Sequence, residues 1–247
     1  MIDSHAHILS EYYENIDLLI NDLKSKNMLN VINCADSIKT SHEIIDLSKK
    51  YESFLLPAVG IHPENVDEID RVNEIEEILK HEKIYAIGEI GLDYYWNKEN
   101  KDKQKELLNL QLDLAEKYNL PVIIHNREAI QDCFDELKKR KLKGVIHCYT
   151  GSYEMAKEFI KLGYKLGIGG VLTFKNSKLY ELIEKISLDD ILLETDSPYL
   201  SPEPFRGKTN VPSNVLYVAK RIAEIKNVSL EEVIDKTAKN TIELFDI

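Results

Sequence analysis

Short apolar, β-branched runs alternate with longer amphipathic stretches from one end of the chain to the other. The runs are Met1–Ile2, Val31–Asn33, Leu55–Val59, Ala86–Gly88, Val122–Ile124, Val145–Ile146, Lys165–Ile168 and Ile191–Leu193. Several are almost continuously hydrophobic, as strands covered on both faces are. Between them the period lengthens. Leu107, Leu110 and Leu114 recur at helical spacing within Lys101–Tyr118, Met155, Phe159 and Leu162 follow the sixth run, and Val215, Val218, Ala219 and Ile222 follow the eighth. Ser229 with Glu232 three residues later has the spacing of a capping box and predicts a last helix through Leu244. Strand–helix alternation repeated in this way predicts an α/β fold, a parallel (β/α)8 TIM barrel, with an open doubly wound sheet as the alternative.

Length agrees with the barrel: 247 residues is an ordinary size for one. No low-complexity segment or break in composition interrupts the pattern, so one domain is expected over residues 1–247. The longest irregular stretch, Ser197–Ser213, contains Pro198, Pro202, Pro204 and Pro212. It reads as a long loop after the eighth strand, and loops of that length in a compact domain usually serve function.

Hydrophobic residues make up 43% and charged residues 30% of the chain, which fits a globular protein with a substantial core. No run approaches the ~20 apolar residues that a membrane span needs. The first apolar run starts at Met1 and a chemically interesting histidine follows at position 5, which leaves no room for a cleaved leader. Cys34, Cys133 and Cys148 show no CxxC spacing and read as reduced thiols. The expectation is a cytoplasmic protein. A net charge of −11 argues against a protein that coats nucleic acid nonspecifically. It says little about an enzyme that grips one phosphate in a pocket.

The histidines and acids change the picture most. His5 and His7 sit at the end of the first run, two residues apart, so an extended chain turns both imidazoles to one side. His62 follows the third run, Glu89 the fourth, His125 the fifth, His147 the sixth and Asp196 the eighth. In a barrel those ends converge on one mouth. An isolated acid after a strand is often a helix N-cap, and an isolated histidine is usually a satisfied polar residue. Gathered at one mouth, however, such groups are costly to bury unless their charge is matched, and metal cations match it. His42 and His81 lie in polar helical stretches and are assigned to solvated surface. His5, His7, Glu89, His125, His147 and Asp196 exceed the needs of one tetrahedral ion. They predict two divalent ions per chain, zinc, manganese or magnesium, bridged by a carboxylate and activating water for hydrolysis.

Longer motifs sharpen this expectation. DSHAHI at 3–8, GIHPE at 60–64, IGEIGLDYYW at 87–96, PVIIHNREA at 121–129, HCYTGS at 147–152, GIGG at 167–170 and LETDSPYLSPEPFRGK at 193–208 resemble the TatD family of metal-dependent DNases, in the family's order. The resemblance implies an amidohydrolase-like barrel that degrades DNA, as a 3′-to-5′ exonuclease on single-stranded ends, without a membrane or an obligate protein partner. It implies that His5, His7, Glu89 and Asp196 hold one ion, that Glu89, His125 and His147 hold the other, and that Glu89 bridges them. Asp196, the general base or the residue that orients water, and Glu89 are then catalytic. His62, Arg127, Arg206 and Lys208 become phosphate contacts. Val211 departs from the acid that the family commonly carries after the RGK turn. Gly88, Gly91 and Gly169–Gly170 have a plain reading as tight turns. Tyr94, Tyr95 and Trp96 either pack in the core or stack on a base.

Two other functions use the same residues. One is hydrolysis of an amide, lactone or carboxylic ester, including a D-aminoacyl-tRNA ester. The other is a non-catalytic barrel that only binds metal and a partner. The RGK turn favours a phosphate-bearing substrate, and the complete donor set argues against a lapsed site.

Overall fold

In the computed structural model, which describes residues 1–96 and 98–247, eight parallel strands are hydrogen-bonded in strictly sequential order. They are β1 (Ile2–Ala6), β2 (Asn30–Cys34), β3 (Leu55–Val59), β4 (Ala86–Asp93), β5 (Val122–Arg127), β6 (Gly144–Ile146), β7 (Tyr164–Ile168) and β8 (Ile191–Leu193). A doubly wound sheet reverses its strand order at a switch point; this sheet does not. It curls round until its edges meet. Asp196 N–H donates to His5 O at 3.0 Å, and His7 N–H donates to Ser197 O at 2.7 Å. The result is a TIM barrel.

The helices cover the outside: α1 (Ile16–Ser25), α2 (Ile38–Lys50), α3 (Val72–His81), α4 (Lys101–Tyr118), α5 (Ile130–Leu137), α6 (Tyr153–Lys161), α7 (Leu179–Lys185), α8 (Val215–Lys226) and α9 (Leu230–Phe245). At α9 the Ser229 hydroxyl accepts from Glu232 N–H at 3.0 Å, as its spacing predicts. The buried stripe of α4 differs from the one expected from its leucines. Leu107 is buried, but Leu110 is 39% exposed. Leu114 is buried as expected, and Gln104, Leu108, Gln111, Leu112 and Ala115 complete the stripe. Both glutamines pair with main chain: Gln111 accepts from Ile61 N–H and donates to Ile61 O, and Gln104 does the same with Asp93. An apolar period misses Gln104 and Gln111 because these two anchors are polar.

Three strands run three or more residues beyond the C-terminal end of their apolar runs. β1 continues to Ala6, β4 to Asp93 and β5 to Arg127. Glu89, expected just beyond the fourth strand, therefore lies inside it. The polar extensions remain in the sheet through main-chain pairing, Ala6 with Asn33 and Asp93 with Arg127, and some side chains add to it: Asp3 accepts from Thr195 N–H at 2.9 Å and from the Thr195 hydroxyl at 2.5 Å.

Strand periodicity then places the chemistry. The barrel interior is filled by Ile32, Leu56, Ala58, Ala86, Ile123, Val145 and Leu192, and Phe245 joins them from the end of α9. Two residues up the strands from this apolar layer stand Cys34 above Ile32, His125 above Ile123, His147 above Val145 and Glu194 above Leu192. β4 needs a correction in its alternation to take part. Ile87 pairs with Val122 and Ile90 with Ile124, so β4 carries one extra residue there. That bulge turns Glu89 inward, in keeping with the frequency of bulges beside sites. Gly91 has a φ of 153°, and a Cβ on it would stand 1.9 Å from His125 O, so only glycine lets the strands approach here. Its role is close strand contact, in place of the tight turn expected.

Candidate metal centre

The barrel mouth gathers its donors around Glu89. His5 Nε2 and His7 Nε2 lie 3.1 Å apart. They stand 3.2 and 3.4 Å from Glu89 Oε2, and 3.7 and 3.6 Å from Asp196 Oδ1. An ion bonded at zinc-like distances of about 2.0–2.2 Å sets tetrahedral neighbours about 3.3–3.6 Å apart. His5, His7 and Asp196, and His5, His7 and Glu89, each have spacings close to those of such a shell. The other Glu89 oxygen faces a different group: Oε1 is 2.8 Å from His125 Nδ1, 3.7 Å from His62 Nε2 and 3.9 Å from His147 Nε2. His147 Nε2 also lies 3.6 Å from Asp196 Oδ1. The structure thus brings together the six residues singled out above, with His62, expected as a phosphate contact, beside them. The mixed nitrogen and oxygen donors fit divalent cations.

The comparisons with known proteins agree with this geometry. The family model described as "TatD related DNase" matches residues 2–246. The chain belongs to the TatD family. It is 41% identical to an uncharacterized metal-dependent hydrolase, YabD, from Bacillus subtilis, over 100% of the chain and 99% of the relative. It is 32% identical to another, YcfH, from Escherichia coli, over 100% and 96%. The crystal structure of YjjV, a TatD homologue from Escherichia coli, superposes with a TM-score of 0.94 at 29% identity, covering 100% of this chain and 98% of that one. The protein is therefore a TatD-family metal-dependent hydrolase.

In this TatD chain, neighbouring groups decide which imidazole nitrogen faces the centre. His7 donates Nδ1–H to Cys34 O at 3.0 Å, which leaves Nε2 bare in the neutral ring. Asp93 Oδ2 hydrogen-bonds the outer nitrogen of His125, Nε2, at 3.1 Å, and Glu194 Oε1 forms an ion-pair contact with His147 Nδ1 at 3.1 Å, so a carboxylate stands behind both rings. His62 is oriented the opposite way. Its Nδ1 accepts from Glu64 N–H at 3.2 Å, so Nε2 carries the proton of the neutral ring. Burial, and then the nearby His125, push the His62 pKa down to about 3, which keeps that ring neutral. His62 therefore presents an N–H donor to the centre, and His7 presents a lone pair.

Proton balance follows from the same contacts. Burial alone would raise the Glu89 carboxyl, but His5, His147, His62 and the His125 hydrogen bond outweigh it and hold it well below its usual range. Burial is likewise overcome at Asp196, which His147, His7 and His5 hold low. The imidazoles carry the balancing charge. Burial disfavours the charged ring at His147 and His125, yet Glu194, Asp196 and Glu89 lift His147 to about 10, and Asp93 and Glu89 lift His125 to about 9. His7 is raised against its burial by Asp196 and Glu89, whereas burial and His147 lower His5. With no cation bound, protons on several rings take the place of one.

A cavity of about 850 Å³ opens over the centre. His62 and Arg127 line it, as do Glu64, Asn65 and Asp36, which the sequence motifs did not single out. Arg206 and Lys208, expected as phosphate contacts, are exposed and are absent from its lining. The Arg206 guanidinium packs 3.8 Å over the Phe174 ring instead. The long loop that carries them is held by the buried Asn210, which donates to Thr195 O at 3.0 Å and to Tyr199 O at 2.7 Å. Four more residues escaped the sequence reading: Asp3, Cys34, Asp93 and Glu194. Spacing could have revealed two of them, since Asp3 lies two residues before His5 and Glu194 two before Asp196. Glu194 also needs room. A Cβ on Gly167 would come within 2.1 Å of its Oε2. His42 and His81 are exposed, as expected.

Proposed function

We propose that this hydrolase cleaves phosphodiester bonds of DNA, removing nucleotides from the 3′ ends of single strands. The observation that carries the reading is the arrangement of Glu89, whose Oε2 faces His5 and His7 and whose Oε1 faces His125, with His147 near both Oε1 and Asp196, in a cavity open to solvent. We assign one divalent ion to His5, His7, Glu89 and Asp196, and a second to Glu89, His125 and His147. Ions held there supply electrophilic stabilisation of a phosphoryl group and activation of water.

The chain's own groups do the rest. Asp196 is ionised, reaches the cavity with 15% of its side chain exposed, and accepts the proton of the attacking water. It sits at a φ of 57°, a backbone conformation that non-glycine residues adopt mainly where their surroundings impose it, frequently at functional sites. His62 Nε2–H and the Arg127 guanidinium donate to phosphoryl oxygens, on which negative charge grows as the bond to the leaving oxygen breaks. Glu194 and Asp93 keep His147 and His125 oriented. The family description, and a cavity lined by the Arg127 guanidinium, favour a phosphate-bearing substrate such as DNA. The test is a side-by-side assay of a 5′-labelled single-stranded oligonucleotide, a D-aminoacyl-tRNA and an aryl ester. Stepwise shortening of the oligonucleotide, outpacing the other two reactions, is expected. Faster release of the amino acid or the aryl alcohol would overturn the proposal.

A further inference from the structure

Tyr94 is buried, but the two aromatic residues after it are not. Tyr95 is 46% exposed, and Trp96 is 63% exposed and lines the cavity. Their main chain is pinned by Asp93, whose Oδ1 accepts from Tyr95 N–H at 2.8 Å and from Trp96 N–H at 3.0 Å. The other oxygen of that carboxylate is the one that meets His125. A single residue therefore fixes the aromatic pair relative to the reacting centre. The Arg127 guanidinium lies 4.0 Å over the Tyr95 ring and 5.3 Å from the Trp96 ring, and no ion pair to it exists among the described residues. A second aromatic wall follows β8. Tyr199 is 49% exposed, also lines the cavity, stands 6.2 Å from the His7 ring and shares a 2.8 Å hydrogen bond with the Tyr12 hydroxyl. In a closed ring of eight strands taken in order, β4 and β8 lie across from each other. The two walls thus follow strands on opposite sides of the barrel and line the same cavity as Glu89 and Asp196.

We propose that Trp96, backed by Arg127, and Tyr199 are a pair of stacking platforms for the unpaired bases on either side of the reacting phosphate, and that they select single strands over duplex. This rests on the phosphodiesterase reading above and goes beyond it by assigning the base-binding groups. The chemistry is general: every base has a π-face, aromatic side chains stack on it whatever its identity, and a guanidinium adds cation–π attraction. Bases inside a duplex have both faces covered by their neighbours, so they meet neither platform without unstacking.

Trp96 is the only tryptophan in the chain, so its own fluorescence reports the contact. The manganese-loaded protein is titrated with a cleavage-resistant phosphorothioate oligonucleotide, either single or annealed to its complement. KM is then measured on a normal oligonucleotide and on one whose 3′-terminal residues are abasic. The single strand is expected to quench Trp96 and the blunt duplex to leave it unchanged. Trp96→Ala and Tyr199→Ala are each expected to raise KM for the normal oligonucleotide by about 5- to 100-fold. Trp96→Phe should recover most of that loss, and the wild-type preference for bases over abasic sites should collapse in Trp96→Ala. Hydrolysis without quenching, and with the same KM in both alanine variants, would overturn the platforms and leave the phosphodiesterase reading standing. Quenching by a single strand that is never cleaved would support the platforms and remove the reading on which they rest.

Discussion

Loading the centre with manganese should expel protons, and the structure says from where. At pH 7.5 the ion-free chain keeps His125, with a pKa of about 9, and His147, at about 10, in the charged form. His7 is raised as well. A bound cation needs a lone pair from each proposed imidazole ligand, so at least two protons must leave per fully loaded chain. The sign follows. These are groups with raised pKa values, protonated throughout the range below about 9, so proton competition weakens as pH rises toward that value. Each displaced proton contributes about 1.4 kcal/mol, a factor of ten, per pH unit. Two protons make overall loading roughly a hundredfold tighter for each unit between pH 6.5 and 8. Calorimetric titration in two buffers of different ionisation enthalpy gives the number of protons directly. Glu194→Gln removes the leading cause of the His147 shift and should reduce the release by up to one proton. Heats that do not depend on the buffer, with an affinity flat in pH, would refute the proton balance derived for the centre.

Asp196→Asn should fold normally and bind DNA but lose about 10²- to 10⁴-fold in kcat, the usual contribution of a general base; near-normal digestion of DNA ends by this variant would remove Asp196 from that role. Gln111→Leu leaves Ile61 N–H and Ile61 O buried without partners, and at about 1–3 kcal/mol each the unfolding free energy in urea should fall by about 2–5 kcal/mol. A loss below about half a kcal/mol would mean that water or a shifted main chain replaces those bonds. Gly167→Ala drives a methyl into Glu194, so the apparent manganese affinity should drop by about 10- to 100-fold through the displaced His147, measured as activity against free metal; an unchanged metal curve would show that Glu194 does not orient that ring.

The barrel is legible in the sequence because parallel strands buried on both faces leave apolar runs, and the runs were found at every strand. What the runs hide is where strands stop. Ser4, His5 and Ala6 continue β1, and Glu89 to Asp93 continue β4, because their main chain stays paired with the neighbouring strand, which local hydrophobicity cannot register. The histidines and the acids Glu89 and Asp196 stand out because strand ends converge. Glu89 faces inward only through a bulge, so counting by twos from Ala86 would have pointed Gly88 at the centre and Glu89 away. Asp93 and Glu194 stayed hidden for another reason: an acid near a strand end resembles a helix cap until the imidazole beside it is seen. The exposed placement of Arg206 and Lys208 was equally out of reach. It depends on how Asn210 folds the long loop back, a contact that no spacing encodes.

No helix among the described residues is long and apolar enough to cross a membrane. The central claim is metal-dependent cleavage of DNA ends by the Glu89 centre. The direct measurement is digestion of a 5′-labelled single-stranded oligonucleotide by chelator-stripped protein as magnesium, manganese or zinc is added back. The account predicts no cleavage by stripped protein and recovery with added metal along a two-ion dependence, with products shortening one nucleotide at a time from the 3′ end. Cleavage that survives complete chelation, or saturable metal binding with no shortening of any DNA end, would contradict it.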